Sequence, residues 1–137
     1  MAIALNDLLE TLRQDYARFP KDQSFAVYDP DVFFQDPLTR FQGRDRYQKM
    51  IAFIDRWFLD PQLTLHDIHP IETGLESRWT LSWTSPWPWR PRSQISGRTL
   101  FELTAEGTIR SHRDYWDCSP WAVLRQQLPR RRTKNPR

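Results

Sequence analysis

The segment Ile109–Asp117, IRSHRDYWD, follows a turn at Glu106-Gly107 and holds the densest set of chemically able side chains in the sequence. Alternation with a period of two puts Arg110, His112, Asp114 and Trp116 on one side of a strand. Ile109, Ser111, Arg113, Tyr115 and Asp117 fall on the other. An imidazole beside a carboxylate, among aromatic rings, is the pattern of a proton-transferring couple. Side chains at i and i+2 on one face lie about 7 Å apart, near enough to share a substrate or a water without bonding directly. The plainer alternative is a buried polar pair satisfied by neighbouring strands. Asp36 is the third candidate, at the end of the apolar stretch Val32–Asp36 and just before Pro37. A carboxylate there, facing an aromatic cavity, is desolvated and pushed upward in pKa. The plainer alternative again is structural, because Asp-Pro at a strand end commonly accepts turn hydrogen bonds.

Other chemistries find little support. His66 and His69 are three residues apart, which places them on opposite faces of a strand, so no metal site is predicted. The single cysteine, Cys118, excludes an intrachain disulfide and a cysteine metal cluster. None of the four glycines sits in a phosphate-cradling loop, and no Ser-His-Asp context is present. No cofactor is indicated.

Charge is divided unevenly. The chain has a sequence pI of about 9.3, yet five of the 20 basic residues lie in RRRTKNPR at 130–137. The fifteen that remain face 17 acids. Residues 1–128 are therefore expected to form one mildly acidic domain, followed by a basic, disordered tail at 129–137. A basic tail of this kind can touch nucleic acid or acidic membranes, but the body lacks an interleaved basic face, so nucleic-acid recognition is not expected. No apolar run approaches membrane-spanning length, and MAIALNDLL lacks the features of a secretory leader. A cytoplasmic protein is the expectation.

The elements that must position these residues follow from periodicity. Leu5, Leu8, Leu9, Leu12, Tyr16 and Phe19 predict an amphipathic helix from Asn6 or Asp7 to Phe19, with Asp7 and Glu10 as a capping box. A helical turn at Ser24–Tyr28 and a strand at Val32–Asp36 follow, the strand placing Phe34 beside Asp36. Tyr47, Met50, Ile51, Ile54, Trp57 and Phe58 mark a long helix after Gly43, closed by Asp60-Pro61. Four strands complete the chain: Gln62–Ile71 with a bulge near His66 or Asp67, Leu75–Thr84, Ser93–Thr104 and Ile109–Asp117. Trp121–Leu128 forms a last turn. Helices first and strands afterwards argue an α+β domain, a cone-shaped curved antiparallel sheet wrapped around helices. Trp79, Trp83 and Trp116 become candidate walls of a cavity. Between the middle strands, SPWPWRPR (Ser85–Arg92) is stiffened by proline; its rings could stack with its arginines as a partner platform, or plug one end of the cone as a lid. The lid is favoured, since tryptophan rings left in water promote association.

The order of elements, FFQDP (Phe33–Pro37) with Gly43 behind it, and EGTIRSHRDYWD (Glu106–Asp117) resemble the superfamily of nuclear transport factor, ketosteroid isomerase and SnoaL-type polyketide cyclases. YDPDVFFQDP, IAFIDRWF, SRWTLSWTSPWPWRPR and SHRDYWDC are similar, more narrowly, to a cyanobacterial and plastid family filed as a domain of unknown function. The resemblance implies the cone fold. It also implies that Asp36 matches the proton-shuttling base of the isomerases, and that Thr99 stands where their second acid would be. A hydroxyl there argues against steroid isomerisation. Tyr16 could match the oxyanion tyrosine, although its place in the Leu12/Phe19 stripe favours a core ring. His112 and Asp114 match the HWD-like pair of the cyclases, with Arg113 in place of the aromatic. The leading expectation is a pocket for a small apolar molecule, walled by Phe34, Trp79, Trp83, Thr99 and Trp116. Its rivals are an acid/base enzyme using Asp36 or Asp114 with His112, and a non-catalytic interaction module, a homodimer through the outer sheet face, for which the resemblance to plant relatives implies a tetrapyrrole link.

Overall fold

The computed structural model describes residues 2–129. Helix α1 (Leu5–Arg18) and a 3-10 turn (Phe25–Val27) lead into β1 (Tyr28–Gln35), β2 (Arg40–Gln42) and helix α2 (Arg44–Trp57). Four strands follow, β3 (Leu59–Ile71), β4 (Gly74–Thr84), β5 (Arg92–Leu103) and β6 (Ile109–Trp116), and then α3 (Pro120–Gln126). They form one curved, unclosed six-stranded sheet in the order β2-β1-β6-β5-β4-β3. The expected α+β cone is present, with one correction to its topology. The sheet is not antiparallel throughout, because β1 and β6 run parallel, Phe33 opposite Ser111 and Phe34 opposite His112. The α2 crossover carries the chain to the far edge, and the β3–β6 meander brings it back alongside β1.

Helices α1 and α2 each bury one stripe. Helix α1 contributes Leu8, Leu9 and Leu12, and α2 contributes Tyr47 and Ile51, to a core completed by Phe34, Leu75, Phe101 and Ile109 of the sheet. A second, smaller cluster surrounds Trp79, Trp83 and Ile95. Asp15, buried in α1, accepts from Arg18 at 3.1 Å, the Ser24 backbone N–H at 3.1 Å and the Ser24 hydroxyl at 2.9 Å. That carboxylate ties the helix to the following turn. Gly97 sits mid-strand where β5 is squeezed between its neighbours: a Cβ there would lie 2.3 Å from the Tyr115 carbonyl oxygen and 3.2 Å from the Trp79 ring.

Several local expectations are revised. Ala4 is the N-cap of α1 without a side-chain bond, so Asp7 lies in the first turn and forms no capping box. Helix α2 ends at Trp57, and Asp60-Pro61 lies inside β3, where a register shift between Leu59 and Gln62 accommodates the proline. Pro30 likewise sits within β1, beside a register shift between Tyr28 and Phe33. The phase break near His66 is a bulge between Leu65 and Asp67, as predicted. Strand β2 escaped prediction because three residues carry no readable period. Trp57 is 44% exposed rather than part of the core stripe, with the Arg56 guanidinium 5.2 Å from its ring centre. Arg110 does not share the His112 face, because the register shifts between Glu102 and Leu103, leaving Ile109 buried and Arg110 exposed. The basic tail falls on 130–137, outside the described residues, apart from Pro129. Among the described residues no helix is long and apolar enough to cross a membrane.

Candidate functional site

Strand pairing alone assembles the polar centre. In the β5–β6 ladder Thr99 lies opposite Asp114 and Phe101 opposite His112. Trp79 of β4 lies opposite Gly97, two residues before Thr99. The Trp79 indole N–H can only donate, and it donates to the Thr99 hydroxyl oxygen at 2.8 Å. Thr99 then gives its own proton to Asp114 Oδ1 at 2.5 Å. His112 Nε2–H donates to the same oxygen at 2.9 Å. The two side chains that strand geometry sets about 7 Å apart therefore converge into a direct bond.

The other imidazole nitrogen faces a tyrosine pair. The Tyr28 hydroxyl stands 3.4 Å from Nδ1 and 3.0 Å from the Tyr47 hydroxyl. Burial lifts both phenols above their ordinary pKa, and the proximity of Tyr47 lifts Tyr28 further. They consequently serve as neutral hydroxyls and not as bases. Phe34 and Phe101 close on the ring, their centroids 5.0 Å and 4.9 Å from that of His112. His112 is 8% exposed.

Asp36 both closes a turn and is partly desolvated. Its Oδ1 accepts the backbone N–H groups of Leu38 at 2.8 Å and Thr39 at 2.6 Å, which closes the turn after β1. Its carboxyl is nevertheless raised above the ordinary value. Burial is the main cause and the Asp114 charge adds to it, while the two backbone bonds and His112 pull the other way. A carboxyl penalised when ionised destabilises the fold only at pH values where it is ionised. This contribution to instability is therefore absent below the unfolded-state pKa, grows as the pH climbs to the raised folded value, and is complete above it. Asp36→Asn keeps the Oδ1 acceptor and removes the charge. Thermal melts should show the variant slightly more stable than wild type at neutral pH. The advantage should vanish on acidification through the carboxyl's titration, and a gain that persisted unchanged in acid would contradict this account.

These groups share the wall of one cavity of about 430 Å³ in the mouth of the cone. Its lining includes Asp36, His112 and Asp114 together with Phe34, Trp79, Trp83, Thr99 and Trp116. Trp79 and Trp83 form the wall and leave the interior open, with Phe58 stacked on Trp83 at 4.6 Å. Tyr16, expected in the core, packs against the Trp79–Trp83–Ile95 cluster and also lines the cavity, its hydroxyl 2.7 Å from that of Ser77. Burial, followed by the nearby Asp114 charge, raises that phenol as well. Tyr28, Tyr47 and Val123 were also missed; for the tyrosines, a polar tip on an otherwise apolar helix stripe or strand start was the signal available.

The tryptophan loop does not plug the cone. Trp87 and Trp89 are each 48% exposed, stack on each other at 6.3 Å, and lie outside the cavity lining. Their indole N–H groups donate to Gln127, Trp87 to the side chain at 3.2 Å and Trp89 to the carbonyl at 2.7 Å. The loop thus latches the end of α3, whose Val123 forms part of the wall. Cation–π contacts occur elsewhere, at Trp57, Tyr115 and Phe33, rather than within the loop. His66 and His69 turn to separate partners, Thr80 at 2.7 Å and Asp67 at 2.6 Å. Among the described residues no group of three His, Cys, Asp or Glu side chains is placed to hold a metal.

Comparison with known proteins agrees on architecture. No curated protein matches the sequence. Among solved structures, an NTF2-like protein of unknown function from Exiguobacterium sp. 255-15 superposes with a TM-score of 0.67 at 17% identity, over 81% of this chain and 98% of its own. A hypothetical protein with a ketosteroid isomerase-like fold from Catenulispora acidiphila, in complex with trimethylamine, gives 0.71 at 16% identity, over 92% and 96%. A candidate SnoaL-like polyketide cyclase from Jannaschia sp. CCS1 gives 0.71 at 15% identity, over 88% and 92%. At such identities the likeness speaks for fold alone. A family profile described as "Uncharacterized conserved protein (DUF2358)" matches residues 6–112, most of the folded body, and the chain belongs to that family, built on the NTF2/SnoaL-like cone.

Proposed function

We propose that this protein binds a small, largely apolar molecule inside the cone. The observation that carries the reading is the unfilled cavity of about 430 Å³, walled by Trp79, Trp83, Trp116 and Phe34 in a chain rich enough in large rings to have filled it. Apolar walls with a few fixed polar groups are the usual form of a ligand site. An open interior forgoes packing that protein cores ordinarily gain, so the hollow is a feature to be explained. A second reading, an acid/base enzyme of the isomerase, dehydratase or cyclase type, is favoured by one observation: Asp36, His112 and Asp114 line the same space. There Asp36 would take the proton from a carbon acid, with its carboxyl raised by burial. The Asp114–His112 pair would hold the substrate's polar end.

Native mass spectrometry of the protein from its own cells tests both readings. A mass excess that is lost on denaturation, and absent from a Leu81→Trp variant that fills the cone, is the expected result. A bare mass for wild type, with no uptake of small apolar compounds, would remove the first reading. Incubation in heavy water separates the second: a proton-transfer catalyst leaves carbon-bound deuterium in the released molecule, and a mere carrier does not.

A further inference from the structure

We infer that the cavity takes an organic cation: a molecule with a tertiary or quaternary ammonium head and an apolar body. The inference rests on the pocket reading above and adds the charge of its occupant. The lining contains three carboxylates, Asp15, Asp36 and Asp114, and neither lysine nor arginine. Asp15 is already matched by Arg18 at 3.1 Å. Asp36 has no basic side chain bonded to it, and Asp114 is met only by the His112 imidazole, at 2.9 Å. Asp36 spends Oδ1 on the Leu38 and Thr39 backbone, and Asp114 spends Oδ1 on Thr99 and His112. No described residue donates to the Oδ2 of either one.

The same cavity is lined by aromatic rings, among them Tyr16, Phe34, Tyr47, Trp79, Trp83 and Trp116. Each ring presents a negative face, and such cages attract ammonium groups far better than anions. A carboxylate or phosphate ligand would meet two like charges, with no lysine or arginine in the lining and the one imidazole already bonded to Asp114. A neutral ligand would leave Asp36 and Asp114 repelling each other across a partly water-excluded space. A diffuse organic cation relieves that repulsion, loses little hydration, and places its alkyl groups against the rings. The same repulsion is visible in Asp36, whose carboxyl is raised in part by the Asp114 charge.

The test titrates the full chain with three probes of similar size, hexyltrimethylammonium, 1-heptanol and heptanoate, following tryptophan fluorescence and the Trp79 indole N–H signal by NMR. The cation should bind about tenfold more tightly than the alcohol, and the anion most weakly of the three. Asp36→Asn and Asp114→Asn should each weaken the cation several-fold and leave the alcohol within about twofold. Asp36→Asn retains its turn bonds, so it remains the deciding variant should Asp114→Asn fail to fold. Equal affinity for cation and alcohol would overturn this inference and leave the pocket reading standing. Preference for heptanoate would overturn it too, and binding of none of the three would sink the pocket reading together with it.

Discussion

Phe101→Ala should destabilise the protein by about 3–5 kcal/mol, the span found for removing a fully buried ring from a packed core. Phe101 is 1% exposed and stands where the two halves of the structure meet. It belongs to the main core cluster, lines the cavity, and presents its edge to His112 at 4.9 Å with an interplanar angle of 74°. Two losses combine: the transfer energy of the ring, and a void that the neighbouring strands resist closing because unbroken pairing with β4 holds the register of β5. Denaturant unfolding monitored by circular dichroism checks the magnitude. In NMR spectra of the surviving folded fraction, His112 should lose its fixed orientation while the indole signals of Trp87 and Trp89, held by Gln127 outside this core, stay in place. A midpoint shift below about 1 kcal/mol would mean that the site collapses freely, contrary to the packing described.

Gly97→Ala should be nearly as damaging, at about 3 kcal/mol, although it adds only one methyl group. The new Cβ would lie 2.3 Å from the Tyr115 carbonyl oxygen and 3.2 Å from the Trp79 ring. The ring could tilt, but the carbonyl belongs to the backbone of β6, and moving it means prising β5 from β6. That ladder aligns Thr99 with Asp114 and Phe101 with His112, so strain at Gly97 reaches the polar centre directly. The expected signature is a lowered melting temperature together with altered Trp79 and His112 resonances. Wild-type stability would show that the sheet bends at this point for some reason other than the close approach of two strands.

Legibility in the sequence followed the strength of the local signal. The Leu8–Leu12 stripe, the α2 stripe and the alternation of β4 are long periodic patterns, and the corresponding elements formed within a residue or two. Alternation also put Phe34 beside Asp36, and Trp79 and Trp83 on one inward face. What period-two reasoning could not foresee was its own interruption. The register shift at Arg110 separates that side chain from His112, and the shifts beside Pro30 and Pro61 let prolines lie inside strands, although Asp60-Pro61 was expected to close the preceding helix. The direct His112–Asp114 bond was likewise hidden, because strand spacing sets Cβ positions while rotamers decide where the polar atoms meet. Tyr16 and Tyr28 were opaque for another reason: the curvature that turns a helix stripe or strand start towards a hollow is a property of the whole sheet. The tryptophan loop was misjudged because its partner, Gln127, lies about forty residues further along the chain.

The parallel seam between β1 and β6 has a kinetic consequence. Tyr28 faces Ile109, and Phe34 faces His112, across some eighty intervening residues. During synthesis the first strand can find only the short β2 hairpin, and its other flank stays open until the last strand leaves the ribosome. Closing so long a loop delays the reward of pairing, which makes late, slow docking the natural route for this topology. The hollow therefore comes into being at the end of folding, and no shorter nascent chain can hold a guest in it.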